Sequence, residues 1–145
     1  MGKSNRKDWA NRSVSFVPQI VQPENLHSTS DIDDFVVFSF QNMAKSYAIE
    51  DCQDKKEKAF AVDKMREISR KTWNELILRR KQDGGFERIE RKKFDLKSIP
   101  DGIPADITAW YIIRFHGNNG RLIGYRVQNT FYITHLDHSC TAYSH

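Results

Sequence analysis

The stretch from Trp110 to Tyr143 constrains the fold of this 145-residue chain more than any other. It holds three short runs rich in β-branched and aromatic residues, which suit a pleated, half-buried surface. Gly117, Asn118, Asn119 and Gly120 tolerate the left-handed backbone of a tight reversal, and Gln128-Asn129 marks a second one. The stretch therefore predicts a three-stranded antiparallel meander. Alternation assigns the faces. Tyr111, Ile113 and Phe115 share one side of the first strand, opposite Trp110, Ile112, Arg114 and His116. In the second, Ile123, Tyr125 and Val127 oppose Leu122, Gly124 and Arg126; in the third, Phe131 and Ile133 oppose Tyr132 and Thr134. A small sheet of this kind buries one face and opens the other. The expected open face carries Arg114, His116, Arg126, Tyr132 and Thr134, a set that suits a phosphate-rich ligand or simply solvent.

Upstream, residues 1–12 are polar and basic around a lone Trp9 and predict a flexible arm. The runs Val14–Phe16 and Phe35–Phe40 predict an extra N-terminal strand pair, with Phe38 and Phe40 on one face of the second. From about Asp54 the period changes, and Phe60, Ala61, Val62, Met65 and Ile68 form an apolar stripe among lysines and glutamates. Thr72 and Glu75 fit a capping box, in which the hydroxyl takes an orphan amide and the carboxylate returns to the cap. A break near Ser69–Lys71 thus precedes a second, shorter helix through Trp73, Leu76 and Ile77 to about Lys81, ended by Gly84-Gly85. Residues 86–109, with Pro100 and Pro104, predict an irregular connection containing a short strand around Phe86–Ile89. The expected class is α+β: two helices packed on an antiparallel C-terminal meander, with an extra N-terminal strand pair. Residues 13–145 form the one expected domain, divided into a strand extension (13–54) and a core (55–145).

Composition narrows the function classes. No apolar run approaches the roughly 20 residues of a membrane span, and no secretory h-region is present. Met1–Arg6 lacks the serine or threonine of a myristoylation signal, since Arg6 stands there. Cys52 and Cys140 form neither a metal-type pair nor a disulfide framework, which predicts a reducing cytoplasm. Charge is unevenly spread: residues 13–54 hold 1 base against 7 acids, and residues 55–97 hold 15 against 8. Within that basic block Arg79, Arg80, Lys81, Lys92 and Lys93 are candidate RNA contacts, with Arg126 beyond it. The interspersed acids equally suit a solvated helix.

No GxSxG, Walker or GxGxxG element appears, so triad hydrolysis and nucleotide-dependent chemistry have no support. His27 lies in a polar loop. His135 and Asp137 share one side of a strand and form the seed of a metal site with His116 or His145, yet no HExxH or paired-cysteine spacing completes it. Neither a metal nor a cofactor is expected.

Two helices followed by an antiparallel meander resemble the RelE/ParE superfamily of bacterial toxins. Arg114 sits in the first meander strand, Gly117–Gly120 turns, Arg121 opens the second strand and Tyr125 follows. The chain closes with His138 and, five residues on, Tyr143, which matches the family's terminal His-Arg-x-x-x-Tyr except that Ser139 replaces the arginine. The likeness covers roughly residues 55–145. It implies metal-independent cleavage of mRNA, free or on the ribosome, by attack of the substrate's own 2′-hydroxyl, and neutralisation by a cognate antitoxin. On that reading Arg114 and Arg121 bind phosphate with Arg126 in reserve, His138 or His116 acts as base or acid, and Tyr143 positions RNA or donates a proton. The missing arginine removes one cation from the scissile phosphate. The same resemblance allows a non-catalytic module that inhibits a protein target such as a topoisomerase, and the basic block alone allows a nucleic-acid-binding accessory protein. The structural alternatives for single residues are an Arg121 paired with an acid, a packed Tyr143 and a His138 that caps the last strand.

Overall fold

A computed structural model describes residues 34–144. The strands and helices run in the order β1 Val37–Ser39, α1 Lys55–Ser69, α2 Trp73–Leu78, β2 Glu87–Glu90, β3 Ala109–Phe115, β4 Gly120–Val127 and β5 Thr130–Asp137. The class is α+β, with two helices and a five-stranded sheet ordered β1-β5-β4-β3-β2. Strands β2 to β5 are antiparallel to their neighbours, and β1 joins β5 in parallel. The Phe35–Phe40 run therefore supplies a strand, but its partner is the last strand of the meander. The expected strand at Val14–Phe16, the arm at 1–12, His27 and His145 lie outside the described residues.

Local chemistry explains the helix limits. Asp54 caps α1 by accepting from the backbone N–H groups of Lys56 and Glu57. Thr72 and Glu75 form the reciprocal cap at the start of α2. Helix α2 ends at Leu78, earlier than the sequence suggests, because Arg79 and Arg80 take extended backbone. A short 3-10 turn, Lys81–Asp83, follows and is closed by Gly84 at φ 86°. Of the apolar stripe on α1, Ala61 and Ile68 are buried, while Phe60 and Val62 remain exposed.

Each face of the sheet carries a buried cluster, which corrects the simplest reading of its alternation. One side packs Ile113, Phe115, Leu122, Phe131, Ile133 and Leu136 against Ala61, Ile68, Trp73 and Leu76 of the helices. The other packs Trp110, Ile112, Ile123 and Tyr125 against Phe94, Leu96, Ile103 and Ile107 of the connection and Ala142 and Tyr143 of the tail. The connection expected to be irregular is thus a lid, and Lys97 N donates to Ala142 O at 2.8 Å to join it to the tail. Burying large apolar groups on both sides removes more area from water than one face alone could, at ~25 cal/mol per Å².

A β-bulge supplies the second correction. The β4–β5 register steps from Ile123↔His135 to Gly124↔Ile133, so Thr134 is the extra residue. Thr134 is fully buried, not presented on a surface. Gly124 is needed there, since a Cβ would run into the Tyr132 carbonyl. Tyr132 stacks on Tyr125 with ring centres 5.0 Å apart, on the side covered by the connection. Arg126 lies on the helix side, its guanidinium 4.3 Å from the ring centre of Trp73.

Candidate functional site

Register gathers the polar groups at the β3–β4 end of the sheet. Arg114 is the Cα partner of Arg121, whose Cα partner on β5 is Asp137. Strand β2 covers β3 only as far as Ile112, the partner of Glu87, so Arg114 lies beyond the last pair of that edge. The turn between β3 and β4 is His116–Asn119, closed by a bond from Asn119 N to His116 O at 3.1 Å. His116 itself has φ 49°, a left-handed backbone uncommon for a residue with a Cβ.

Arg121 is only 7% exposed. Its Nε donates to Tyr143 Oη at 2.8 Å, and its Nη1 donates to Asn118 O and to Cys140 Sγ, each at 2.9 Å. The guanidinium therefore fastens the C-terminal tail to the β3–β4 turn. Asp137 holds the same tail from the other side, accepting from Thr141 N and Ala142 N at 3.0 and 3.1 Å. Arg121 pairs with no acid here; its acceptors are a phenol, a carbonyl and a thiol.

Arg114 is held more loosely. Its Nη2 is 3.3 Å from Glu87 Oε2 and its Nη1 is 3.3 Å from Asn118 Oδ1, while Nε is buried without a partner. Lys81 Nζ meets the other oxygen of the same carboxylate at 3.2 Å. Two cations thus share one carboxylate. Arg114 and Lys81 line a groove of about 340 Å³ that also includes Phe60, Lys64, His116, Asn118 and the acids Asp63 and Glu67. Lys64 is paired with Glu67 at 3.2 Å.

The left-handed backbone carries His116 away from the face of Arg114 and toward α1. Its Nδ1 lies 2.8 Å from Glu57 Oε1, and its ring stacks on Phe60 with centres 4.1 Å apart. Both His116 and Arg114 nevertheless border the groove, because Arg114 stands at the uncovered edge. Tyr143 completes the group. Burial pushes its hydroxyl above the ordinary value of 10.0, against the opposing pull of the Arg121 and Arg114 guanidinium groups. The phenol therefore keeps its proton at neutral pH, and its oxygen accepts from Arg121. His138 follows Asp137 at the same end and is half-buried.

Other expected contacts fall elsewhere. Lys92 and Lys93 follow β2 at the opposite end of the sheet, and Lys93 sits 3.5 Å from Glu90. Arg126 is engaged with Trp73 and the Gln128 carbonyl, also at that far end. Arg79 and Arg80 are exposed after α2, and Arg80 pairs with Asp83 at 2.8 Å. His135, weighed as a metal ligand, is buried with Nε2 at 2.8 Å from Lys97 O and Nδ1 at 2.8 Å from Thr134 Oγ1. Burial lowers its pKa, against the raising effect of the Lys97 carbonyl and Asp137. Among the described residues no group of three or more His, Cys, Asp or Glu could hold a metal ion. None of their helices is long and apolar enough to cross a membrane.

Sequence reasoning missed Glu57, Glu87, Asn118 and Cys140. Glu57 and Glu87 sit among many similar acids, and their partners lie 59 and 27 residues away, so no local pattern marks them. Asn118 was visible only as a turn residue. No protein-family model matches this chain, and no curated protein or solved structure matches it either.

Proposed function

We propose that this protein is a RelE/ParE-like toxin of a bacterial toxin–antitoxin pair, a metal-independent endoribonuclease that engages mRNA at the β3–β4 end of its sheet. The observation that carries the reading is the 2.8 Å bond between Arg121 Nε and Tyr143 Oη, with Arg114 beside them in register. The three residues that the resemblance singles out in strand, turn exit and tail meet at one place. The β-α-α-β-β-β-β order also accommodates two helices followed by a meander.

The chemistry asks little of the protein beyond placement and charge. The RNA's 2′-hydroxyl attacks the adjacent phosphorus, so a preorganised cation gives most where negative charge gathers on the phosphate oxygens. Arg114 and Lys81 suit that task, since both line the groove and are held together by Glu87. Arg121 acts at one remove, by holding Tyr143. The protonated phenol of Tyr143 suits donation to the leaving 5′-oxygen, and a histidine at the same end suits removal of the 2′-proton. An antitoxin and the cytoplasm of a bacterial cell complete the proposal, with translating RNA as the target.

Two observations favour a second reading. Arg121 is nearly buried and Ser139 replaces the family arginine, so the cation count at a scissile phosphate is low. A toxin-fold module that inhibits a protein target such as a topoisomerase, or a nucleic-acid-binding accessory protein, would not need those cations. Expression of the wild-type protein and of Tyr143→Phe and Arg114→Ala, followed by mapping of transcript 5′ ends, separates the readings. The ribonuclease leaves cut transcripts that vanish in both variants. Growth arrest with whole transcripts favours the inhibitor, and no arrest at all favours the accessory protein.

A further inference from the structure

The strand-end site contains two histidines, and sequence alone does not choose between them. The geometry points to His116 as the base and to Glu57, on the first turns of α1, as the residue that positions it. This inference rests on the ribonuclease reading and adds to it a residue from a different element.

Three observations support it. First, Glu57 Oε1 lies 2.8 Å from His116 Nδ1. A carboxylate accepts and cannot donate, so Nδ1 carries the proton and the neutral ring presents Nε2 as its acceptor. Second, the ring is held in plane as well as in tautomer, because Phe60 stacks on it at 4.1 Å and 11°. His116 is then restrained by two residues of one helix, though it sits in a turn. Third, the arrangement is costly as a mere fastening. Glu57 Oε2 is buried without a hydrogen-bond partner, and His116 has left-handed backbone at φ 49°. An orphaned carboxylate oxygen and a strained backbone in one contact pair are the kind of cost that persists where a site requires it.

The groove beside the ring supplies the rest. Arg114 and His116 both line it, placing a cation and an imidazole along one channel. A phosphodiester on Arg114 and Lys81 sets its neighbouring 2′-hydroxyl toward the His116 side. His116 Nε2 takes the 2′-proton as the 2′-oxygen bonds to phosphorus. The P–O5′ bond breaks, and the 5′-oxygen takes the Tyr143 proton. The products are a 2′,3′-cyclic phosphate and a 5′-hydroxyl, and the imidazolium and phenolate exchange their proton through solvent. Glu57 never touches the substrate; it stabilises the tautomer and the imidazolium.

Two measurements on the full chain test this. Long-range 1H–15N spectra of the folded protein report the ring tautomer without any assay of activity. The expected spectrum for neutral His116 shows a protonated Nδ1 and a bare Nε2, with a mixture in Glu57→Ala and retention in Glu57→Gln, whose amide oxygen still accepts. A wild-type ring protonated on Nε2 overturns the inference. In the second, a labelled transcript is incubated with each protein, alone and in a translating extract. His116→Ala is expected to lower kcat about 10²- to 10⁴-fold and Glu57→Ala on the order of tenfold, with KM little changed and Glu57→Gln largely rescued. A cutting wild type matched by an equally active His116→Ala overturns the inference alone. A wild type that never cuts overturns the ribonuclease reading, and the catalytic role of His116 with it.

Discussion

At the β4–β5 end of the sheet, Arg126 stacks on Trp73 and its Nε donates to the Gln128 carbonyl at 2.6 Å. Trp73 in turn donates from Nε1 to Asn129 O at 2.7 Å and stacks on Phe86 at 4.6 Å. Cation, indole and turn lock one another and leave nothing to present. At the β3–β4 end, Arg114 and Lys81 divide a single carboxylate, one guanidinium nitrogen has no partner, and a groove lies alongside. The same residue type thus serves packing at one end and stays available at the other. What differs is the neighbour: an aromatic face and a carbonyl absorb Arg126, whereas a shared carboxylate only steadies Arg114.

The sharpest way to break this contrast is to measure stability at both ends. Trp73→Ala removes a fully buried indole and its hydrogen bond, and we expect a loss of about 3–5 kcal/mol in urea unfolding. Arg114→Met, by contrast, should cost under about 1 kcal/mol, because the pair it breaks is partly solvated. Equal costs would mean that the β3–β4 end is as structural as the other. Next in size is Asp137→Ala. It leaves one buried and one part-buried tail amide without an acceptor, so a loss of about 1–3 kcal/mol and faster amide exchange at Thr141 and Ala142 are expected.

A pH scan probes the buried polar layer between the two ends. Burial holds the His135 imidazole below its ordinary value of 6.5. Below that value the unfolded chain takes up a proton that the folded chain refuses. Stability should therefore be constant above about pH 6.5 and fall as the pH drops toward the depressed folded value. His135→Asn should flatten that slope; a slope unchanged in the variant would assign it to another group. The smallest expected effect is Glu87→Gln. It frees Arg114 and Lys81 from their shared anion, and the dissociation constant for a short RNA should tighten about twofold to tenfold, with steeper salt dependence.

Much of the architecture was legible in the residues. The meander, its turns at Gly117–Gly120 and Gln128-Asn129, the Thr72 cap and a short strand near Ile89 all follow from short-range rules, and each appears where those rules place it. The availability of the charged groups did not follow. Strict alternation put Arg114, His116, Arg126 and Thr134 on one face; instead, Arg126 lies on the helix side, a positive φ swings His116 to α1 and Thr134 fills a bulge. The connection 86–109 looked featureless because Phe94, Leu96, Ile103 and Ile107 follow no period, yet together they cover a sheet face. Such cover is a property of the assembled layers, and no window of the sequence contains it.

The β3–β4 end is where RNA should lie. Labelled protein titrated with a short RNA carrying 2′-deoxy sugars, which binds but cannot be cut, reports that directly by amide and side-chain shifts. Shifts concentrated on Lys81, Arg114, His116, Asn118 and Tyr143 are the predicted result. Shifts confined to Arg126, Lys92 and Lys93, or none at RNA concentrations that saturate nonspecific binding, would contradict it.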